Sequence, residues 1–231
     1  MKIVDINNID FDNSFLHYTN KSNLKSITQN GLLPKIGRNA KNIELTKKVF
    51  FTKGFDNTLI LMDSWIKWLT LRPKSNFIYM CGSFYMKHKI FPRFVVDIIF
   101  KKWIKNDRRI ERACKTLDSI LINSVFLELD LKENIDFSYE DIDEVKNQAF
   151  SRKQLSYIYT YGYDLNNPKL ELWNMHTLSG KTIENNKISL INCDNSTTAK
   201  DIILFMVKNT KLDIQQYCPF LNKYLEYISV Y

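Results

Sequence analysis

Apolar positions along the chain switch repeatedly between the two-residue alternation of a half-buried strand and the three- and four-residue spacing of an amphipathic helix. Residues 16–19, Leu-His-Tyr-Thr, read as a short buried strand. Residues 22–30 follow as a short helix with Leu24 and Ile27 three apart, and Gly31 stands where a helix commonly ends in a left-handed conformation. Pro34 and Gly37 punctuate a polar loop through Asn39, Ala40 and Asn42, until residues 49–52, Val-Phe-Phe-Thr, restore a strand pattern. Asp56 is placed to cap a helix in which Leu59, Met62, Trp65, Ile66 and Leu69 recur at helical spacing, as far as Arg72-Pro73.

Further along, residues 77–80 and 93–99 are strand candidates, 106–121 reads as a helix, and the late alternation of 125–131, Val-Phe-Leu-Glu-Leu-Asp-Leu, predicts a half-buried strand. The aromatic stretch 155–163 fits either a strand or a pocket wall. Turn signals at Asn166-Asn167-Pro168 and Ser179-Gly180 lead to a short strand over 188–191 and a helix over 198–207 with Ile202, Phe205 and Met206 inward. From Asp213 onward Ile214, Tyr217, Phe220, Leu221, Tyr224 and Leu225 keep helical spacing, interrupted by Pro219. No internal repeat or Pro/Gly linker marks a boundary, so the expectation is one domain over residues 1–231, with C-terminal helices within 196–228 packed on it.

Composition narrows the class. With 231 residues, 45% hydrophobic and only 6 glycines and 5 prolines, the chain has the means to bury a substantial core and excludes collagen-like and linker-rich classes. Cys81, Cys114, Cys193 and Cys218 share no C-x-x-C spacing, which argues for free buried thiols over a zinc knuckle or a redox dithiol. Asp5, Asp10 and Asp12 sit among the first apolar groups, unlike the basic start of a signal peptide, and no apolar run approaches the roughly 20 residues of a membrane-spanning helix. The expected location is cytoplasmic, without membrane partners. Lys and Arg total 33 against 25 Asp and Glu, a net +8 that favours anionic partners without naming one.

The most informative block is Phe15-Leu16-His17-Tyr18-Thr19 together with Leu24, Ile27 and Asn30-Gly31-Leu32-Leu33-Pro34. It resembles the first conserved block of the ADP-ribosyltransferase-like superfamily, and Val49-Phe50-Phe51-Thr52 resembles the second. The resemblance implies an α+β fold with a split mixed β-sheet and flanking helices, NAD as cofactor and substrate, and cleavage of the nicotinamide–ribose bond. It assigns His17 to the nicotinamide-side ribose and Thr19 to a close approach to the ligand. Phe51, with Thr52 beside it, falls near the position that stacks on nicotinamide, where Tyr18 and Tyr79 are other candidates. Independently, a histidine at a strand end offers a donor and an acceptor to a sugar edge, and Lys35, Arg38 or Lys41 in the next loop is suited to a pyrophosphate.

The third element implied is a carboxylate that hydrogen-bonds ribose and stabilises the charge left as nicotinamide departs. Glu171, in Leu-Glu-Leu-Trp-Asn, is the first choice because the stretch 183–188 downstream of it resembles the exit of the superfamily's catalytic-glutamate region; Glu128 and Glu184 are alternatives. Trp173, Asn174 and His176 form a polar-aromatic cluster suited to line a pocket. His17, His88 and His176 lack metal-ligand spacing, so no metal site is expected.

The function expected from these residues is transfer of ADP-ribose from NAD to a protein or nucleic-acid acceptor. The alternative is a catalytically inactive nucleotide- or nucleic-acid-binding protein on the same frame, motivated by the basic run Lys101, Lys102, Lys105, Arg108, Arg109, Arg112 and Lys115 with Trp103 interleaved. An acidic stretch at 136–144 follows that run and polarises the surface expectation.

Overall fold

A computed structural model describes residues 1–35, 47–71, 107–132, 175–179 and 181–230. The strand candidates at 77–80 and 93–99, the aromatic stretch 155–163, and Cys81, Arg38, Tyr79, Trp103 and Glu171 lie outside the described residues. The chain divides into two compact units, one gathering Met1–Leu59, Ser119–Lys146 and Asn174–Lys211, the other Ile60–Asp118, Asn147–Trp173 and Leu212–Tyr231.

Among the described residues the first unit is built on a mixed sheet of six strands: β1 (Lys2–Asp5), β2 (Phe15–Asn20), β3 (Lys48–Lys53), β4 (Ser124–Leu129), β5 (Met175–Ser179) and β6 (Ile188–Asn192). Their order is β1-β6-β4-β2-β3-β5, with β1 and β6 parallel and every other pair antiparallel. The architecture is therefore α+β, with helices flanking a mixed sheet. Alternation along β2, β3 and β4 sends Phe15, Val49, Phe51, Val125, Leu127 and Leu129 into one apolar cluster. Helix α1 (Leu24–Asn30) adds Ile27 to that cluster, and the bridge between Leu32 and Ile183 adds both of its side chains.

Gly31 makes that bridge possible. It ends α1 at φ +72°, ψ −172°, a region essentially reserved for glycine, and a Cβ there would lie 2.2 Å from the Ile183 carbonyl oxygen. The opposite sheet face carries Leu16, Phe126 and Thr52, and helix α4 (Ala199–Asn209) packs against β4 with Ile202, Ile203 and Met206 buried. Thr198 is the N-cap of α4, its hydroxyl accepting from the Asp201 amide. Phe11 stacks on Phe55 at 4.5 Å and meets Phe205 edge-on at 6.0 Å.

Helix α2 (Gly54–Leu71) starts three residues earlier than an Asp56 cap requires. The turn ahead of β2 supplies carbonyls instead: Ser14 accepts from the Gly54 amide at 2.9 Å and Phe11 from the Phe55 amide at 2.8 Å. Asp56 is left within the first turn, where its carboxylate accepts from the Thr210 hydroxyl.

In the second unit, Asp213 caps α5 (Ile214–Tyr217), and Pro219 opens α6 (Pro219–Val230) rather than breaking a helix, since the first helical position needs no amide hydrogen. The cap of α6 comes from far along the chain. Asp63, only 4% exposed, accepts from the amides of Phe220 at 2.7 Å and Leu221 at 3.0 Å. Replacing Asp63 with alanine leaves those buried amides unmatched, and the expected loss is about 1–3 kcal/mol of stability, read as a lower urea midpoint. Tyr224, fully buried, donates to Asp118 at 2.8 Å in helix α3 (Asp107–Ile122). Burial also pushes the Cys114 thiol on α3 up to about 11, so it is an inert core residue.

Candidate functional site

Strand β2 is bound unequally on its two sides. Towards β4 all six residues pair, from Phe15↔Leu129 to Asn20↔Ser124, whereas towards β3 only Phe15↔Lys53 and Leu16↔Thr52 do. The β2–β3 ladder ends where His17 begins. There the imidazole takes over the role of the ladder, with Nδ1 2.6 Å from the carbonyl oxygen of Phe50 on β3.

A carbonyl only accepts, so Nδ1 carries the proton, and in the neutral ring Nε2 keeps its lone pair. The ring is half-buried, and burial holds its pKa below the ordinary histidine value, outweighing the Phe50 carbonyl, which favours the charged ring. Neutral pH therefore finds His17 uncharged and polarised, with Nδ1 a fixed donor towards the backbone and Nε2 an acceptor. Because the folded state disfavours the proton, the unfolded chain binds more protons as pH falls. Stability present above the unfolded pKa of about 6.5 should decline as pH drops through the lower folded value. Urea midpoints compared between about pH 7 and pH 5 should show a smaller decline for His17→Gln, which has no ring to titrate.

Alternation places Phe15, His17 and Thr19 on one face of β2 and Leu16 and Tyr18 on the other. Phe51 shares the face of His17, but it is 2% exposed, its ring meeting Phe15 edge-on at 5.4 Å within the core cluster. Thr19 is buried, and its hydroxyl oxygen accepts from the Asn23 amide side chain at 3.0 Å. Tyr18 donates to the Ser124 hydroxyl at 2.7 Å, which in turn donates to the Ile120 carbonyl at 2.7 Å; burial raises the phenol's pKa, with the Ser124 bond opposing. Thr52 lies on the Tyr18 side and shares a hydrogen bond with Thr58 at 2.7 Å. The structure thus brings His17, Thr19 and Phe51 together and sends Tyr18 and Thr52 to the opposite face.

Among the acids, Glu128 stands opposite Leu16 on β4, on the face away from His17, and accepts from the Ser14 hydroxyl at 3.1 Å. Glu184 is exposed ahead of the 3-10 turn Asn185–Lys187. Glu171 lies outside the described residues, but the strand it precedes is placed: Met175 of β5 pairs with Thr52 and His176 with Phe51. Lys35 is exposed, while Lys41 and Arg38 lie outside the described residues. The Phe50 carbonyl, which fixes the tautomer, and Ser124, which holds Tyr18, leave no mark in the sequence, because their roles depend on pairing across the sheet. Among the described residues no group of three or more His, Cys, Asp or Glu is placed to hold a metal ion, and no helix is long and apolar enough to cross a membrane. Compared with known family models, curated proteins and solved structures, the chain matches none.

Proposed function

We propose that the chain is an NAD-consuming ADP-ribosyltransferase on the ADP-ribosyltransferase-like split sheet, breaking the nicotinamide–ribose bond and passing ADP-ribose to a protein or nucleic-acid acceptor. The observation that carries the reading is His17: a neutral imidazole at the point where two strands part, with Nδ1 committed to Phe50 and Nε2 available as an acceptor. Strand order supports it, since the strand carrying His17 adjoins the strand carrying Phe51, which adjoins β5, the strand that follows Glu171 in the chain.

In this reading His17 Nε2 accepts a hydrogen bond from a ribose hydroxyl and orients the sugar, and Thr19 keeps the backbone beside it compact. Phe51 supports the nicotinamide side from within the core, since its own ring is covered. Arg38 meets the pyrophosphate. As the bond from ribose C1 to nicotinamide breaks, its electron pair leaves with the nicotinamide nitrogen. The carboxylate of Glu171 stabilises the oxocarbenium-like centre that remains. An acceptor lone pair then bonds C1 and sheds its proton to solvent.

Calorimetric titration with NAD tests the binding half of this reading. The expected result is saturable binding, weakened about tenfold by His17→Ala through loss of one hydrogen bond. Folded chain that takes up no NAD contradicts it.

A further inference from the structure

Helix α3 carries a line of cations that the NAD reading does not use. Arg108, Arg112 and Lys115 are exposed, four and three residues apart, and so share one helical face. The opposite side of the helix is spent on the core, where Ala113, Cys114 and Leu117 are buried. Glu111 is exposed beside the line, yet none of the three cations has an ion pair or hydrogen bond among the described residues.

Arg108 and Arg112, one turn apart, repel each other, a cost of a few tenths of a kcal/mol that an anionic partner relieves. The line is about 10 Å long at 1.5 Å per residue, comparable with about three nucleotide steps of 3.4 Å measured along a duplex axis. Two of the three groups are guanidinium forks, which match phosphate oxygens in pairs. No exposed large apolar side chain lies between Arg108 and Lys115 to enter a lipid surface.

We infer that this face of α3 binds the sugar–phosphate backbone of a nucleic acid, without base specificity. The proposal stands apart from the NAD reading, and its test uses no NAD. Fluorescence anisotropy with labelled 20-nucleotide oligouridine RNA and oligothymidine DNA measures affinity of the full chain across a salt series. The triple substitution R108Q/R112Q/K115Q preserves helix propensity. It should weaken binding at least tenfold at low salt and flatten the slope of log K against log salt by about 2, near 0.7 for each phosphate that is no longer neutralised. Circular dichroism matching the parent shows that the weaker binding is not unfolding, and Arg112→Lys, which keeps the charge, should retain most of the salt slope. RNA preference over DNA, or the reverse, tells which sugar the face accepts. An intact chain that binds neither polymer, binding that the triple substitution leaves unchanged, or binding of phosphatidylserine vesicles in place of both polymers overturns the proposal.

Discussion

Alanine at position 31 is expected to cost roughly 2–5 kcal/mol of stability, the sum of a backbone region that side chains rarely occupy and the bonds its Cβ displaces. Gly31 holds φ +72° with its amide on the Ile27 carbonyl at 2.8 Å, closing α1. Immediately after it, Leu32 and Ile183 exchange two backbone hydrogen bonds, at 2.9 and 3.1 Å. A methyl group 2.2 Å from the Ile183 carbonyl oxygen cannot be accommodated, and that obstacle is backbone, so the bridge must open. Leu32 and Ile183 are both buried in the cluster that covers the His17 face of the sheet, so opening the bridge uncovers apolar core as well. Hydrogen exchange reads the effect directly: the amides of Leu32 and Ile183 should lose protection in Gly31→Ala while those of the β2–β4 ladder keep theirs relative to the lowered global stability. Unchanged stability would mean that the bridge contributes little to the fold.

The second large effect is on chemistry. Under the proposed function, His17→Ala removes a side chain that spans the parted ends of β2 and β3 through a hydrogen bond, and with it the Nε2 acceptor. The expected fall in NAD turnover is about 10²- to 10³-fold, the usual cost of deleting one preorganised polar group from a reaction centre. His17→Gln separates position from charge state. Its side-chain amide can donate to the Phe50 carbonyl but is uncharged at every pH, so whatever turnover it retains should lose the acid limb that protonation of His17 imposes. A parent and a His17→Gln variant with the same pH profile would remove the histidine from that limb.

How legible all this is in the sequence depends on how local each cause is. The elements whose signal is their own burial pattern emerge from the chain directly: β2, β3 and β4, the close of α1 at Gly31, and α4, although Thr198, read as its first residue, is its cap. β1 gives no such signal, because in Lys-Ile-Val-Asp only Val4 is even half-buried, and its place comes from parallel pairing with β6, nearly the whole chain away. β5 is hidden for a related reason, since Met-His-Thr-Leu-Ser carries no clear alternation and is recruited by β3. The start of α2 is displaced by carbonyls from the turn before β2, and the cap of α6 is a carboxylate from α2; neither is visible to a window of neighbouring residues.

The site divides in the same way. The place of His17 on a strand is legible from its block. That Tyr18 and Thr52 turn to the other face, and that Phe51 is covered, depends on which face of the sheet holds the core cluster. That the imidazole is held in one tautomer depends on where the β2–β3 ladder ends. Both are properties of register rather than of composition.

The most direct test of the central claim is time-resolved mass spectrometry of nicotinamide and ADP-ribose after NAD is added to the intact chain, His17→Ala and Glu171→Gln, with mixed cellular protein and RNA present as acceptors. The account predicts nicotinamide release by the intact chain, an ADP-ribose mass added to an acceptor, and loss of release in both variants. Folded, intact chain that releases no nicotinamide with all acceptors present, or release that persists undiminished in His17→Ala, would contradict it.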